Sequence, residues 1–241
     1  MSGHSKWSTI KRQKGIADAR RSSVFTKLAR AIAIAAKTGG KDQAMNFQLR
    51  LAIDKARAAN MPNDNIERAI KTGAGELKGD QVKEVLYEGF GPGGVAVLVQ
   101  AITDNTNRTA AEMRHAFAKH GGSLGGHNSV AWMFQLRGVL RFPISAVTGG
   151  QIDELSLQIV EAGADDVSVE DDDCVVLTSP DKLQPVREWL LSNGVTLRDA
   201  GLEFVPTTPV TIAADAQAKL FDLFQALEEQ DDVDNFFSNA A

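Results

Sequence analysis

Cysteine is almost missing from this 241-residue chain, where Cys174 stands alone. A single thiol closes no internal disulfide, so nothing in the sequence calls for an oxidising compartment. Cys174 does not read as a nucleophile either. A reactive thiol needs a base or an electropositive setting, and Asp171, Asp172 and Asp173 precede it. Long apolar runs are missing too. The most apolar stretch, Leu28 to Ala36, is interrupted by Arg30 and is far too short to cross a bilayer. No apolar segment follows the N-terminal charges, so the sequence predicts no signal peptide and a cytoplasmic protein without a membrane partner. His4, His115, His120 and His127 show no metal spacing, since residues five apart on a helix do not share a face. The run Glu170 to Asp173 lacks the alternation of a calcium loop and fits a hairpin tip. No nucleophile–base pair can be named, and no cofactor, metal or small-molecule substrate is expected. These absences point away from an enzyme.

What is present is an uneven distribution of charge. The net charge of −5 conceals 16 Lys and Arg against 7 Asp and Glu in residues 1–80, a net of +9. Residues 81–241 carry 10 against 24, a net of −14. Such asymmetry suggests a nucleic-acid-binding segment beside a solvated acidic body. Lys6, Lys11, Arg12, Lys14, Arg20 and Arg21 surround Trp7, opposed only by Asp18. Lys27, Arg30 and Lys37 continue at helical spacings, away from the apolar face. A helix studded in this way offers a row of phosphate contacts, and Trp7 would stack on an unpaired base. The alternative is a solvated helix face with a core tryptophan.

Hydrophobic periodicity predicts three helices in residues 1–75. The first runs from about Asp18 to Lys37, with Phe25, Leu28, Ile32, Ala35 and Ala36 facing inward. The second covers about 45–59. Asp64 and Glu67 suggest a capping box for a third that ends at Gly73. Residues 74–82 read as a linker. From residue 83 the period becomes alternating: strands over 85–88 and 95–99 join through Gly91-Pro92-Gly93-Gly94, a helix covers about 108–119, and Ser129 to Phe134 reads as a strand. Residues 138–206 give the βαββαβ order of the ferredoxin-like pattern. After them come a strand near Val210, a helix Asp215–Glu229 and a strand Val233–Phe237. The predicted class is a multidomain α+β protein with a basic helical domain at 1–79, a discontinuous α/β domain at 80–137 plus 207–241, and a ferredoxin-like domain at 138–206 inserted in it.

Gly89-Phe90-Gly91-Pro92-Gly93-Gly94 has the spacing G-x-G-x-x-G. A dinucleotide fingerprint needs strand–turn–helix, and here the glycines join two strands, so a hairpin is expected. Thr103-Asp104-Asn105-Thr106-Asn107-Arg108-Thr109 lies between a strand and a helix start. Asn and Thr there are natural N-caps. The same geometry exposes amides, Asn107 and Arg108, as secondary candidates for holding a phosphate.

Several of these motifs, in this order, resemble the YebC family. They are Ser2-Gly3-His4-Ser5-Lys6-Trp7, Phe25-Thr26-Lys27-Leu28, Asn60-Met61-Pro62, Tyr87-Glu88-Gly89-Phe90-Gly91-Pro92-Gly93-Gly94, Thr103 through Thr109, and Gly121-Gly122-Ser123-Leu124-Gly125. Gln43, Phe47-Gln48, Ala31 and Gly126-His127-Asn128 depart from the family pattern. The resemblance implies a helical N-terminal domain and two α/β domains. It also implies a DNA-binding transcriptional regulator, with relatives tied to translation and the ribosome, among them a mitochondrial translational activator. Two readings therefore stand side by side: a DNA-binding transcriptional regulator, and a factor bound to ribosomal or messenger RNA. An enzyme with a site between the α/β domains is the third class. Phosphate contacts look alike in DNA and RNA, so the residues alone leave the first two open.

Overall fold

The structure is a computed structural model that describes residues 19–77, 82–147 and 152–241; for residues 19–22 and 146 it describes the backbone alone. Lys6, Trp7, Lys11, Arg12 and Lys14 lie outside the described residues. The fold is α+β, and the described residues divide into two compact units, Phe134–Val205 and those before and after it.

The larger unit opens with helices α1 (Ala19–Gly39), α2 (Phe47–Ala58) and α3 (Asn63–Gly73). Ile32, Ala35 and Ala36 of α1 meet Leu49, Ile53 and Ala56 of α2 and Ile66 and Ala69 of α3 in one apolar core. Alanine lets these helices approach closely. At Gly73 a β-carbon would sit 2.2 Å from the carbonyl oxygen of Ala33, so only glycine fits. The turn between α1 and α2 is held by Asn46, which caps α2 by accepting from the Leu49 amide and donates to the carbonyls of Ala35 and Gly40. The anticipated capping box is not formed. Pro62 occupies the N-cap of α3 and supplies no side-chain cap, and Asp64 sits in the first turn, where a carboxylate complements the helix dipole.

The body of this unit is an antiparallel sheet in the order β3-β1-β2-β8, built from β1 (Lys83–Phe90), β2 (Ala96–Thr103), β3 (Ser123–Leu124) and β8 (Val233–Ser238). Helices α4 (Thr106–Lys119) and α7 (Ala214–Glu229) complete it, with Met113, Phe117, Leu223, Leu227, Val97 and Val99 in the shared core. The glycine-rich segment is a hairpin turn, with Gly93 and Gly94 both at φ 75°, and no helix follows it. Of the strand expected over Ser129 to Phe134, only Phe134 is extended, as the first residue of a later strand; residues 129–133 are bends and a 3-10 turn. The Glu88 carboxylate is buried in β1 and accepts from the amides of Asn128, Val130 and Ala131 at 2.6, 2.8 and 2.8 Å. Those amides point at one carboxylate rather than at a neighbouring strand, so the segment wraps around Glu88. The strand expected near Val210 is an isolated parallel bridge to Ala240.

The smaller unit contains β4 (Phe134–Pro143), α5 (Ile152–Glu161), β5 (Asp166–Glu170), β6 (Asp173–Thr178), α6 (Leu183–Ser192) and β7 (Asp199–Pro206). Its sheet order, β5-β6-β4-β7, is that of the split βαβ pattern. Ile159, Leu183, Val186 and Leu190 are buried from the helices, and Leu140, Phe142 and Val176 from the strands. Arg141 and Glu203 form a bidentate pair between adjacent strands, at 2.5 and 2.9 Å.

Candidate nucleic-acid interface

The basic face expected on the first helix divides into parts with different surroundings. Arg20 and Arg21 lie in the first turn of α1. Further along, Ser23, Lys27, Arg30 and Lys37 recur at three, four and seven residues, which places them on one stripe of the helix. That stripe faces the protein's own body. Lys27 Nζ donates to the Glu228 carbonyl at 2.6 Å, and Ser23 Oγ donates to Asp231 Oδ1 at 2.7 Å. Arg30 Nη1 reaches the Asp231 carbonyl at 3.0 Å and Asp232 Oδ1 at 2.8 Å. Lys37 Nζ reaches the Val82 carbonyl at 3.2 Å.

Electrostatics explains this choice. The last carbonyls of α7 have no partner within their own helix and carry the negative end of its dipole. Two carboxylates, Asp231 and Asp232, follow after Gln230. Cations placed along one stripe of α1 complement that end as well as they would complement a phosphate row.

Asp232 gathers more than Arg30. Its Oδ2 lies 2.7 Å from Arg108 Nη2, 2.7 Å from Thr109 Oγ1 and 3.0 Å from Thr103 Oγ1. Arg108 also pairs with Asp104 at 2.8 Å. Burial acts to raise the Asp232 pKa, but Arg108, Thr109 and Thr103 outweigh it, and the carboxyl is held below the usual aspartate range. Pairing with Asp232 and then with Asp104 drives the Arg108 guanidinium in the opposite direction, above its ordinary value. The segment Thr103 to Thr109 therefore caps α4 through Asn105, which accepts from the Arg108 amide at 3.1 Å, and clamps the start of β8. That amide and guanidinium are both engaged within the protein. Asn107 is exposed beside them.

Other cations of the helical segment differ in their engagement. Arg50 Nη1 donates to the carbonyls of Gln43 and Ala44, and Lys41 pairs with Glu76. Arg57 at the end of α2 and Arg68 on α3 are exposed to solvent. Neither belongs to the N-terminal cluster. Their signal in the sequence is a helical position off the buried stripe of Leu49, Ile53 and Ala56, or of Ile66 and Ala69. Asp232 and Glu88 carry no comparable signal, because their partners are distant in the chain. Among the described residues no group of three or more histidines, cysteines or carboxylates is arranged to hold a metal, and no helix is long and apolar enough to cross a membrane.

This arrangement matches known proteins over nearly its whole length. Residues 5–76 match the family model described as the TACO1/YebC protein N-terminal domain, and residues 82–240 match that of the TACO1/YebC second and third domain. A probable transcriptional regulatory protein of Treponema denticola is 51% identical over 239 residues, covering 99% of this chain and 96% of the relative. One from Pelotomaculum thermopropionicum, described in the same words, is 48% identical over 241 residues, with 99% and 98% covered. A crystal structure of a conserved hypothetical protein from Aquifex aeolicus superposes with a TM-score of 0.85 at 44% identity, covering 93% of this chain and 91% of that one. The chain belongs to the TACO1/YebC family.

Proposed function

We propose that this protein is a cytoplasmic regulator of gene expression that binds nucleic acid through its basic N-terminal segment, with DNA as the ligand and transcription as the process regulated. The observation that carries the reading is the separation of charge, a net of +9 in residues 1–80 against −14 in the rest. The wording used for the relatives, probable transcriptional regulatory protein, supports it. Lys6, Lys11, Arg12, Lys14, Arg20 and Arg21 supply the phosphate contacts, joined by Arg57 and Arg68. Lys27, Arg30 and Lys37 act as positioning residues that hold the helices against the body. Asn107 is a secondary contact, and Arg108 acts through Asp232. No catalytic step, metal or cofactor is assigned.

A second reading, a factor bound to ribosomal or messenger RNA, is favoured by one residue. Trp7 stands among the cations, and an aromatic ring there suits an unstacked base more than a duplex. Titrating the full chain against duplex DNA and a hairpin RNA over a salt series tests both. Lys11→Glu with Lys14→Glu is expected to lower affinity at least tenfold, and binding is expected to weaken by about −0.9 in log–log slope for each duplex phosphate neutralised. Loss of RNA binding alone in Trp7→Ala favours the second reading. Affinity for both ligands that survives the double charge reversal overturns the proposal.

A further inference from the structure

The smaller unit carries a surface that its own packing leaves uncovered. Its sheet order places β5 at one end with β6 as its sole neighbour. The outer backbone edge of Asp166–Glu170 therefore has no strand beside it among the described residues. An open edge presents amides and carbonyls ready to pair with another extended chain. Apolar side chains accompany it. Val169 on β5 is 50% exposed. On α5, which packs on β5, Ile159 is buried, whereas Leu157 and Val160 are 68% and 48% exposed. Leu157 and Val160, three residues apart, form one solvent-facing ridge. Aliphatic side chains grouped beside an open strand edge mark a docking surface rather than scattered exposure.

Charge selects the occupant. Between Arg141 and Lys182 the chain has ten carboxylates and no lysine, arginine or histidine. Arg137 offsets Asp165 and Arg198 offsets Asp173, while Glu154, Glu161, Asp166 and Asp172 are exposed. Nucleic acid is repelled by such a face. So is this same face of a second copy, which would set the same carboxylates against each other. We propose that the β5 edge and the Leu157–Val160 ridge bind a basic polypeptide, which adds an extended segment alongside β5. Its cations face the carboxylates, and its alternate aliphatic side chains cover Val169, Leu157 and Val160. Main-chain pairing supplies affinity in this mode of recognition, and the alternating side chains supply selectivity.

The test uses the full chain with three synthetic peptides of equal length: alternating lysine and valine, all lysine, and alternating glutamate and valine. Hydrogen exchange at residues 166–170 and binding by calorimetry are the readouts. The lysine–valine peptide is expected to slow exchange across 166–170 and to bind at least tenfold more tightly than the other two. Val169→Lys, and separately Leu157→Lys with Val160→Lys, are expected to weaken it at least tenfold with the melting temperature unchanged, as all three positions are exposed. Equal binding of the all-lysine peptide overturns the proposal, because charge alone then suffices. So does a failure to slow exchange at 166–170, the same protection produced by duplex DNA, or concentration-dependent self-association through this face.

Discussion

Arg30 and Asp232, 202 residues apart in sequence, meet at 2.8 Å with the carboxylate almost fully buried. The contact joins the first described helix to the turn that leads into the last strand, and it shares its carboxylate with Arg108, Thr103 and Thr109. The guanidinium groups of Arg30 and Arg108 are partly open to solvent, whereas the Thr103 and Thr109 hydroxyls bonded to Asp232 are buried. Asp232→Ala strips two guanidinium groups and two hydroxyls of a common acceptor, and is expected to lose about 1–3 kcal/mol of stability, the cost of leaving buried polar groups without that partner. Arg30→Ala leaves Asp232 with its other partners and is expected to lose distinctly less. Urea denaturation of both variants measures this, and equal losses contradict the shared role of Asp232.

Charge reversals within the helical segment separate structure from binding. Lys27→Glu places a carboxylate against the Glu228 carbonyl and the negative end of α7, so it is expected to lower the melting temperature. Arg57→Glu, at an exposed position, is expected to shift stability by no more than about 0.5 kcal/mol and to weaken nucleic-acid binding instead. Paired melting and binding curves check both. The opposite pattern would exchange the roles assigned to these two cations.

Acid sensitivity follows from Glu88. Burial pushes its pKa up, but the amides of Val130, Ala131 and Asn128 outweigh it, and the carboxyl is held below the usual glutamate range. A carboxylate with a depressed folded pKa stabilises the protein above its unfolded value, about 4.3. That contribution is lost as pH falls through the lower folded value. Asp232 acts in the same direction. Stability is therefore expected to decline below about pH 4–5, and less steeply in Glu88→Gln, which starts from a lower plateau. Identical acid slopes in a denaturation series would remove Glu88 from this account.

The lone thiol is expected to be silent. Cys174 is buried in β6, and burial, with Asp173 beside it, pushes its pKa up to about 11. A disulfide reagent at neutral pH is expected to leave the native chain untouched and to label it stoichiometrically in denaturant. Rapid labelling of the native protein would contradict the packing described for this strand.

Local patterns made much of the fold legible. The three N-terminal helices follow from apolar residues recurring at helical spacing, such as Ile32, Ala35 and Ala36. The order β5-β6-β4-β7 follows from βαββαβ once each segment is identified. What sequence reading missed depends on partners brought together by folding. Val130 reads as part of a strand until Glu88, 42 residues earlier, accepts from its amide. Lys27 and Arg30 read as part of a phosphate row until the end of α7 is placed against them, and Lys37 until the Val82 carbonyl is. A row of cations specifies the sign of its partner and nothing of its identity, so an acidic helix terminus and a nucleic acid look alike from one side. Arg57 and Arg68 lie on helices whose boundaries were legible, yet each is a single charge without a cluster to draw notice.

The acceptors for Lys27 and Arg30 lie beyond the smaller unit in the chain, at residues 228–232, and β8 follows at Val233–Ser238. Synthesis therefore delivers the beginning and the end of one unit with a whole second unit between them. Chains commonly fold from the N-terminus as they emerge. Here Phe134–Val205 can close first, while Arg30 and Arg108 wait for Asp232, and β2 for its neighbour β8. A chain halted at Asp231 would hold a finished insertion inside an unfinished host, since it would lack Asp232 and all of β8, an edge of the sheet.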